Sequence, residues 1–225
     1  MPKLGMEPIR RAALVKATIA EIGAAGTLDV TVGKIARRAG MSTALAHHYF
    51  GGKDQILLAA MRHILVMFAD EARGRIAAAK TPAARLDAII CASFAPSNFS
   101  EDVIAAWLNF YVLAQSSEEA LRLLTVYRRR LQSNLTHALR PLAGEAAAQK
   151  ADLIGALIDG VYLRQALRSD AMGGAAAVAM LRGAAEDMLA PIKIAAPEWS
   201  QDAAQNAQDA SQTAPLTAPR KDPRP

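Results

Sequence analysis

Two sets of residues have types and spacings that could do chemistry. The first lies in residues 31–53, TVGKIARRAGMSTALAHHYFGGK. Lys34, Arg37, Arg38 and Lys53 supply cations suited to phosphate oxygens. Thr43, Ala44, His47 and His48 supply the short donors, acceptors and methyl group that reach base edges in a DNA groove. The second set is Trp107, Phe110 and Tyr111. Their i, i+3, i+4 spacing puts three rings on one side of a helix. Such rings either fill a core or wall a small pocket with electron-rich faces. His47, His48, His63 and His137 have no metal-binding spacing, and no nucleophile–base motif accompanies them. The expectation is therefore no catalytic residue, no metal site and no cofactor.

The elements that must hold the first set are legible. Val32, Ile35, Ala36 and Ala39 recur at i, i+3, i+4, i+7, one face of a short helix. Thr31 caps its start, with outward backbone amides that suit a phosphate. Gly40 ends it, because glycine takes a positive φ at no steric cost. Ser42 caps a second short helix over 43–50, anchored by Leu45, Ala46, Tyr49 and Phe50, with Thr43, His47 and His48 facing out. Two such helices around a Gly-Met-Ser break read as a helix-turn-helix, whose second helix enters the major groove. A longer helix from about Pro8 to Ala25 forms the floor, with Gly26 as its stop. Arg10 and Arg11 near its start are candidates for backbone contact or simple solubilising charges.

After a Gly-Gly-Lys turn, Asp54 opens a long helix to about residue 79. It links the small basic unit to the rest of the chain. Lys53 stands where its charge opposes the helix dipole, so a phosphate explains it better than helix stability does. Further helices are expected over 82–96, 103–114 and 117–139, the last stopped by Pro141. Arg128, Arg129 and Arg130 read as a solvated or salt-bridged face. The two final patterns, 145–168 and 171–194, are apolar on more than one face, which suggests a four-helix contact in a homodimer.

Composition agrees. Alanine dominates a hydrophobic content of 52%, and β-branched and aromatic residues are sparse, so an all-α fold is expected. Residues 1–64 hold nine Lys or Arg against four Asp or Glu, and the remainder holds seventeen of each. The net charge of +5 thus sits wholly with the helix-turn-helix, which favours a phosphate-rich partner there. Cys91 is the only cysteine; it precludes an intrachain disulfide, fits a reducing cytoplasm and reads as a small buried hydrophobe. The N-terminus is too polar for a signal-peptide core, and the longest apolar run, 171–181, is too short to span a membrane. The expected organisation is a DNA-binding domain over 1–53, a ligand-binding and dimerisation domain over 54–196, and a polar, disordered tail over 197–225.

Thr31, Ile35-Ala36, Ala39-Gly40, Ser42, Tyr49-Phe50, Lys53 and Leu57 together resemble the signature of the TetR family of transcriptional repressors. The blocks MPKLGMEPIRR, IARRAGMST and ALIDGVYLRQAL are most similar to its choline-responsive members, which control glycine betaine synthesis. The resemblance covers residues 1 to about 190. It implies nine helices, a homodimer joined through its last two helices, and operator binding weakened when an effector binds the larger domain. It implies DNA contacts at Thr31, Thr43, His47 and Lys53, with Ser42 and Tyr49 in the same motif. His47 departs from the tyrosine common there, and Ala44 replaces a frequent glycine. It also implies choline as effector. A permanent cation that cannot be satisfied by hydrogen bonds suits a cage of aromatic faces and a carboxylate, for which Trp107, Phe110, Tyr111, Tyr162 and Asp159 are the candidates. Asp159 could instead anchor Arg164 or Arg168. The alternative effector is another small cationic or apolar compound.

Overall fold

Side-chain caps set the starts of several helices. Thr31 Oγ1 accepts from Lys34 N at 3.2 Å, Ser42 Oγ from Leu45 N at 3.2 Å, Thr81 Oγ1 from Ala84 N at 3.1 Å and Ser117 Oγ from Ala120 N at 3.3 Å. Each satisfies an amide that the helix itself cannot. The computed structural model describes residues 5–167 and 172–190. Its regular elements are all helical: α1 (Met6–Ala25), α2 (Val32–Arg38), α3 (Thr43–Phe50), α4 (Lys53–Ala78), α5 (Pro82–Ser93), α6 (Glu101–Leu113), α7 (Glu118–Ala143), α8 (Ala147–Ala166) and α9 (Gly174–Leu189), with a 3-10 turn (Gly144–Ala146) before α8. The all-α expectation holds. The expected tail over 197–225 and Arg168 lie outside the described residues.

Helix ends follow the glycines. Gly26 closes α1 with φ 65°. After α2, Met41 N donates to Ala36 O at 2.9 Å and Gly40 N to Arg37 O at 3.1 Å, with Gly40 at φ 68°. That pair of bonds is a Schellman cap, and it turns the chain sharply from α2 into α3. One expected stop does not occur. α7 runs through Pro141 to Ala143 and ends at Gly144, φ 56°. Pro141 forfeits one amide donor within the final turn, and no further turn has to be built beyond it.

A continuous apolar core runs from Leu14 in α1 to Ala185 in α9. α1, α2 and α3 converge on Leu14, Ile35, Ala36 and Ala46, all fully buried. α4 leaves this unit through buried Ile56, Leu57, Met61 and Ile64 and continues along the larger body. A second bridge is less obvious. α1 crosses α6 at Gly23, where an added Cβ would lie 1.9 Å from Asp102 Oδ1 and 2.7 Å from its Cα. Nearby, Leu28 N donates to Asn109 Oδ1 at 3.1 Å. The first unit is thus fastened to α6 as well as to α4.

α9 is pinned to α5 by a two-pronged Arg182–Asp87 pair, at 2.5 and 2.9 Å. Cys91 lies beside it, its Sγ 3.3 Å from the Arg182 guanidinium. It is half-buried, which corrects the expectation of a core hydrophobe: the aspartate one turn earlier and the arginine hold that face of α5 near solvent. Among the described residues no helix is long and apolar enough to cross a membrane.

Candidate nucleic-acid interface and aromatic ligand site

Most of the residues read from 31–53 lie exposed on or beside α2 and α3. Thr31, Lys34, Arg37, Arg38, Ser42, Thr43, Ala44, His47 and His48 are exposed. Thr31 and Ser42 spend their hydroxyls on the caps, which presents the first turns of α2 and α3 with their amides outward. Arg37 has no acidic partner among the described residues. Arg38 is tied to Glu21 at 2.5 Å, which aims it from the α1 side. Lys53 is the first residue of α4 rather than part of the preceding turn, and its Nζ lies 3.8 Å from Asp29 Oδ1. Tyr49 is the one buried member. Its hydroxyl accepts from Arg10 at 3.3 Å, while Arg11 stands 5.0 Å over the Phe50 ring. Tyr49 therefore braces α3 and orients α1 cations, with little surface of its own.

His47 has a defined orientation. Its Nδ1 lies 3.0 Å from Gly51 O. A carbonyl oxygen only accepts, so Nδ1 carries the proton and Nε2 is left facing outward. A neutral ring then offers an acceptor there, and a protonated ring a donor. His48 packs edge-on against Tyr49, 5.4 Å between centroids.

The second set also assembles. Trp107, Phe110 and Tyr111 come from α6, Asp159 and Tyr162 from α8. Trp107 and Tyr111 rings are 5.7 Å apart, Trp107 and Phe110 6.1 Å, Trp107 and Tyr162 6.3 Å. The Tyr111 hydroxyl donates to Asp159 Oδ1 at 2.9 Å. The Tyr162 hydroxyl lies 2.6 Å from Ser93 O and 3.0 Å from Asn98 O. Both phenols are thus held by their oxygens. Phe110 is 1% exposed and packs T-shaped with Trp107.

One ring was absent from the expected set. Tyr127 of α7 lies 4.7 Å from Trp107, nearer than any other aromatic neighbour of that ring among the described residues. It sits three residues after Leu124 and four before Leu131, both buried, so the heptad spacing of α7 carried the signal. A cation was also missed. Asp159 does not pair with Arg164: Arg128 reaches it from α7 at 3.8 Å and stands 5.7 Å over the Tyr111 ring. Burial raises the Asp159 carboxyl above its ordinary range, against the opposing pull of the Tyr111 hydrogen bond and Arg128. Burial likewise raises the Tyr111 and Tyr127 phenols, with the Asp159 charge adding to it. Both remain neutral, and Tyr111 is the donor to Asp159.

An all-helical chain with an N-terminal helix-turn-helix on a larger helical body is the architecture of a one-component bacterial regulator. Residues 14–60 match the model of "Bacterial regulatory proteins, tetR family", and residues 82–190 that of "BetI-type transcriptional repressor, C-terminal". The HTH-type transcriptional regulator BetI of Brucella anthropi is 52% identical over 182 residues, covering 80% of this chain and 94% of that one. That of Rhizobium meliloti is 50% identical over 181 residues, covering 80% and 89%. A transcriptional regulator from Pseudomonas aeruginosa PAO1 superposes with TM-score 0.70 at 27% identity, over 83% of this chain and 93% of that one. A regulator from Saccharomonospora viridis, crystallised in complex with choline, superposes with TM-score 0.69 at 19% identity, over 80% and 94%; at that identity the likeness is one of fold. The chain belongs to the TetR family, in its BetI-type branch. It is accordingly a non-catalytic, ligand-responsive repressor that binds operator DNA as a homodimer.

Proposed function

We propose that this repressor controls genes converting choline to glycine betaine, acts in the cytoplasm, and loosens its grip on the operator when choline enters the α6–α7–α8 aromatic site. The observation carrying this reading is the constellation of Trp107, Tyr111, Tyr127 and Tyr162 around the Asp159 carboxylate. A quaternary ammonium gains from ring faces about 0.5–2 kcal/mol each, and a carboxylate with raised proton affinity gains from a cation beside it.

Residues 1–53 serve as the DNA-binding domain and 54–196 as the ligand-binding and dimerisation domain. Lys34, Arg37, Arg38 and Lys53 position the dimer on phosphates, together with the amides behind Thr31 and Ser42. Thr43, Ala44, His47 and His48 read base edges. The dimer forms through α8 and α9. Leu153 and Leu163 of α8, Leu167 just after it and Met180 of α9 are uncovered in a single chain, an apolar stripe that a two-fold partner covers. Choline acts by binding one arrangement of the two DNA-binding units better than the other. The change travels along α4, and through α6, whose first turn meets Gly23 of α1 and whose middle and later part carry Trp107 and Tyr111.

Footprinting locates the operator, and titration of that duplex at fixed salt with and without choline tests the reading. Weaker operator binding with choline is expected. Unchanged operator affinity at saturating choline removes choline as the effector. Betaine aldehyde and larger organic cations in the same assay separate the alternative effectors.

A further inference from the structure

A cleft between α4 and α7 takes no part in the function proposed above. Its volume is ≈ 820 Å³, within the range of about 300–1,000 Å³ usual for small-molecule sites. The two helices run in the same direction. Arg62 of α4 pairs with Glu119 at the start of α7, and further along both helices Phe68 packs edge-on to Tyr127 with centroids 5.5 Å apart. The cleft is therefore ordered along its length. The Arg62–Glu119 pair closes the end near the DNA-binding unit. The middle is apolar, lined by Leu65, Phe68, Ala69, Leu123, Val126 and Tyr127. The far end holds Arg130, Ser133 and Asn134 from α7 and Arg85 from the first turn of α5.

Charge decides what this trough accepts. Arg62 is neutralised by Glu119, and Arg73 by Asp70 at 2.6 Å. Arg85 and Arg130 have no carboxylate partner among the described residues. Two uncompensated guanidiniums at one end of an apolar trough repel a quaternary ammonium. They are complementary to an anion carrying an apolar chain, since a guanidinium grips a carboxylate through two parallel N–H bonds. Tyr127 is the partition between the two sites. It packs on Trp107 on one side and on Phe68 and the cleft on the other.

We infer that the α4–α7 cleft binds a free single-chain acyl carboxylate. Its head group lies between Arg85 and Arg130, beside the Ser133 hydroxyl and the Asn134 amide, and its chain extends toward Phe68 and Tyr127. The site is separate from the aromatic cage and of opposite charge preference.

Calorimetric titration of the full chain with decanoate, below its aggregation concentration and with choline present at saturating level, tests this. One decanoate per chain is expected, with binding weakened at least tenfold in the double variant Arg85→Glu, Arg130→Glu. Decan-1-ol, which keeps the chain and removes the charge, should bind at least tenfold more weakly than decanoate. Ala69→Trp, at a half-buried position in the trough, blocks the chain without touching either arginine and should abolish binding. Choline titrations of both variants should match the unmodified protein. The inference is overturned by an absence of saturable decanoate binding, by equal binding in either variant, or by decanol binding as tightly as decanoate. Loss of choline binding from the unmodified protein bears on the function proposed above and leaves the decanoate result standing.

Discussion

Arg128 stands over the Tyr111 ring, 5.7 Å from its centroid, and 3.8 Å from the Asp159 carboxylate. An internal cation thus uses the same ring face and the same carboxylate that a quaternary ammonium ligand needs. Removing it frees both and removes a like charge. Arg128→Met should therefore tighten choline binding, by about threefold to tenfold. The gain is modest because a solvent-exposed guanidinium is well screened. Calorimetry on the variant reads this directly. A weaker affinity would make Arg128 a ligand contact instead of a competitor.

The raised proton affinity of Asp159 predicts a pH dependence. Choline stabilises the carboxylate and not the neutral acid, so its binding expels any proton held there. Affinity should be greatest above the raised Asp159 pKa and decline as pH falls through it, at a pH above the ordinary carboxylate range. Asp159→Asn should bind more weakly at neutral pH and show no such decline. A variant that keeps the decline would place the titrating group elsewhere.

Tyr127 tests the cage without opening the core. Tyr127→Leu keeps an apolar side chain between Trp107 and Phe68 but removes the ring quadrupole. Choline affinity should fall about twofold to thirtyfold, the equivalent of one good cation–π contact. The melting temperature should shift little, because the hydroxyl makes no hydrogen bond among the described residues. Equal affinity in the variant would leave Tyr127 as packing alone.

His47 and Lys34 should behave differently on DNA. Loss of Lys34 as Lys34→Ala should weaken all sequences alike and reduce the slope of log affinity against log salt by about one. His47→Ala should cost about 1–3 kcal/mol on the operator and relax preference at one base position, because Nε2 is the free ring atom. Selection of binding sites from a randomised duplex separates the two. A uniform loss for His47→Ala would assign it to a phosphate.

Gly23 should be intolerant of a side chain. Its position in α1 leaves no room for a Cβ beside Asp102 of α6, and the clash involves backbone as well as carboxylate. Gly23→Ala should destabilise the fold by about 1–3 kcal/mol despite alanine's better helix propensity. Chemical denaturation measures this. Stabilisation would mean that α1 and α6 part easily.

Much of the first unit is written locally. Thr31, Gly40 and Ser42 act within four residues of themselves, as caps and turns do, so α2, the turn and α3 can be read from their order alone. The aromatic site is only half legible. Trp107 and Tyr111 share a helix face by spacing, but their approach to Asp159 depends on how α6 meets α8. Tyr127 lay within the buried period of α7, hidden because Arg128, one residue later, also fits an i+4 step from Leu124. On a helix both i+3 and i+4 face the same side, and only packing decides between them. The Gly23–Asp102 crossing leaves no mark in either segment's own pattern, since a glycine there lowers helix propensity for a reason found seventy-nine residues away. Pro141 misleads because a proline in a last turn costs less than one mid-helix.

The central claim is that choline in the α6–α7–α8 site and operator at α3 oppose one another through the fold. Linkage makes the opposition reciprocal: the factor by which choline weakens operator binding must equal the factor by which operator weakens choline binding. The decisive measurement is the choline dissociation constant of the free dimer and of the dimer saturated with operator, at one salt concentration. The account predicts weaker choline binding on DNA, by about fivefold to 150-fold, the usual span of such couplings. Identical choline affinities in the two states would contradict it.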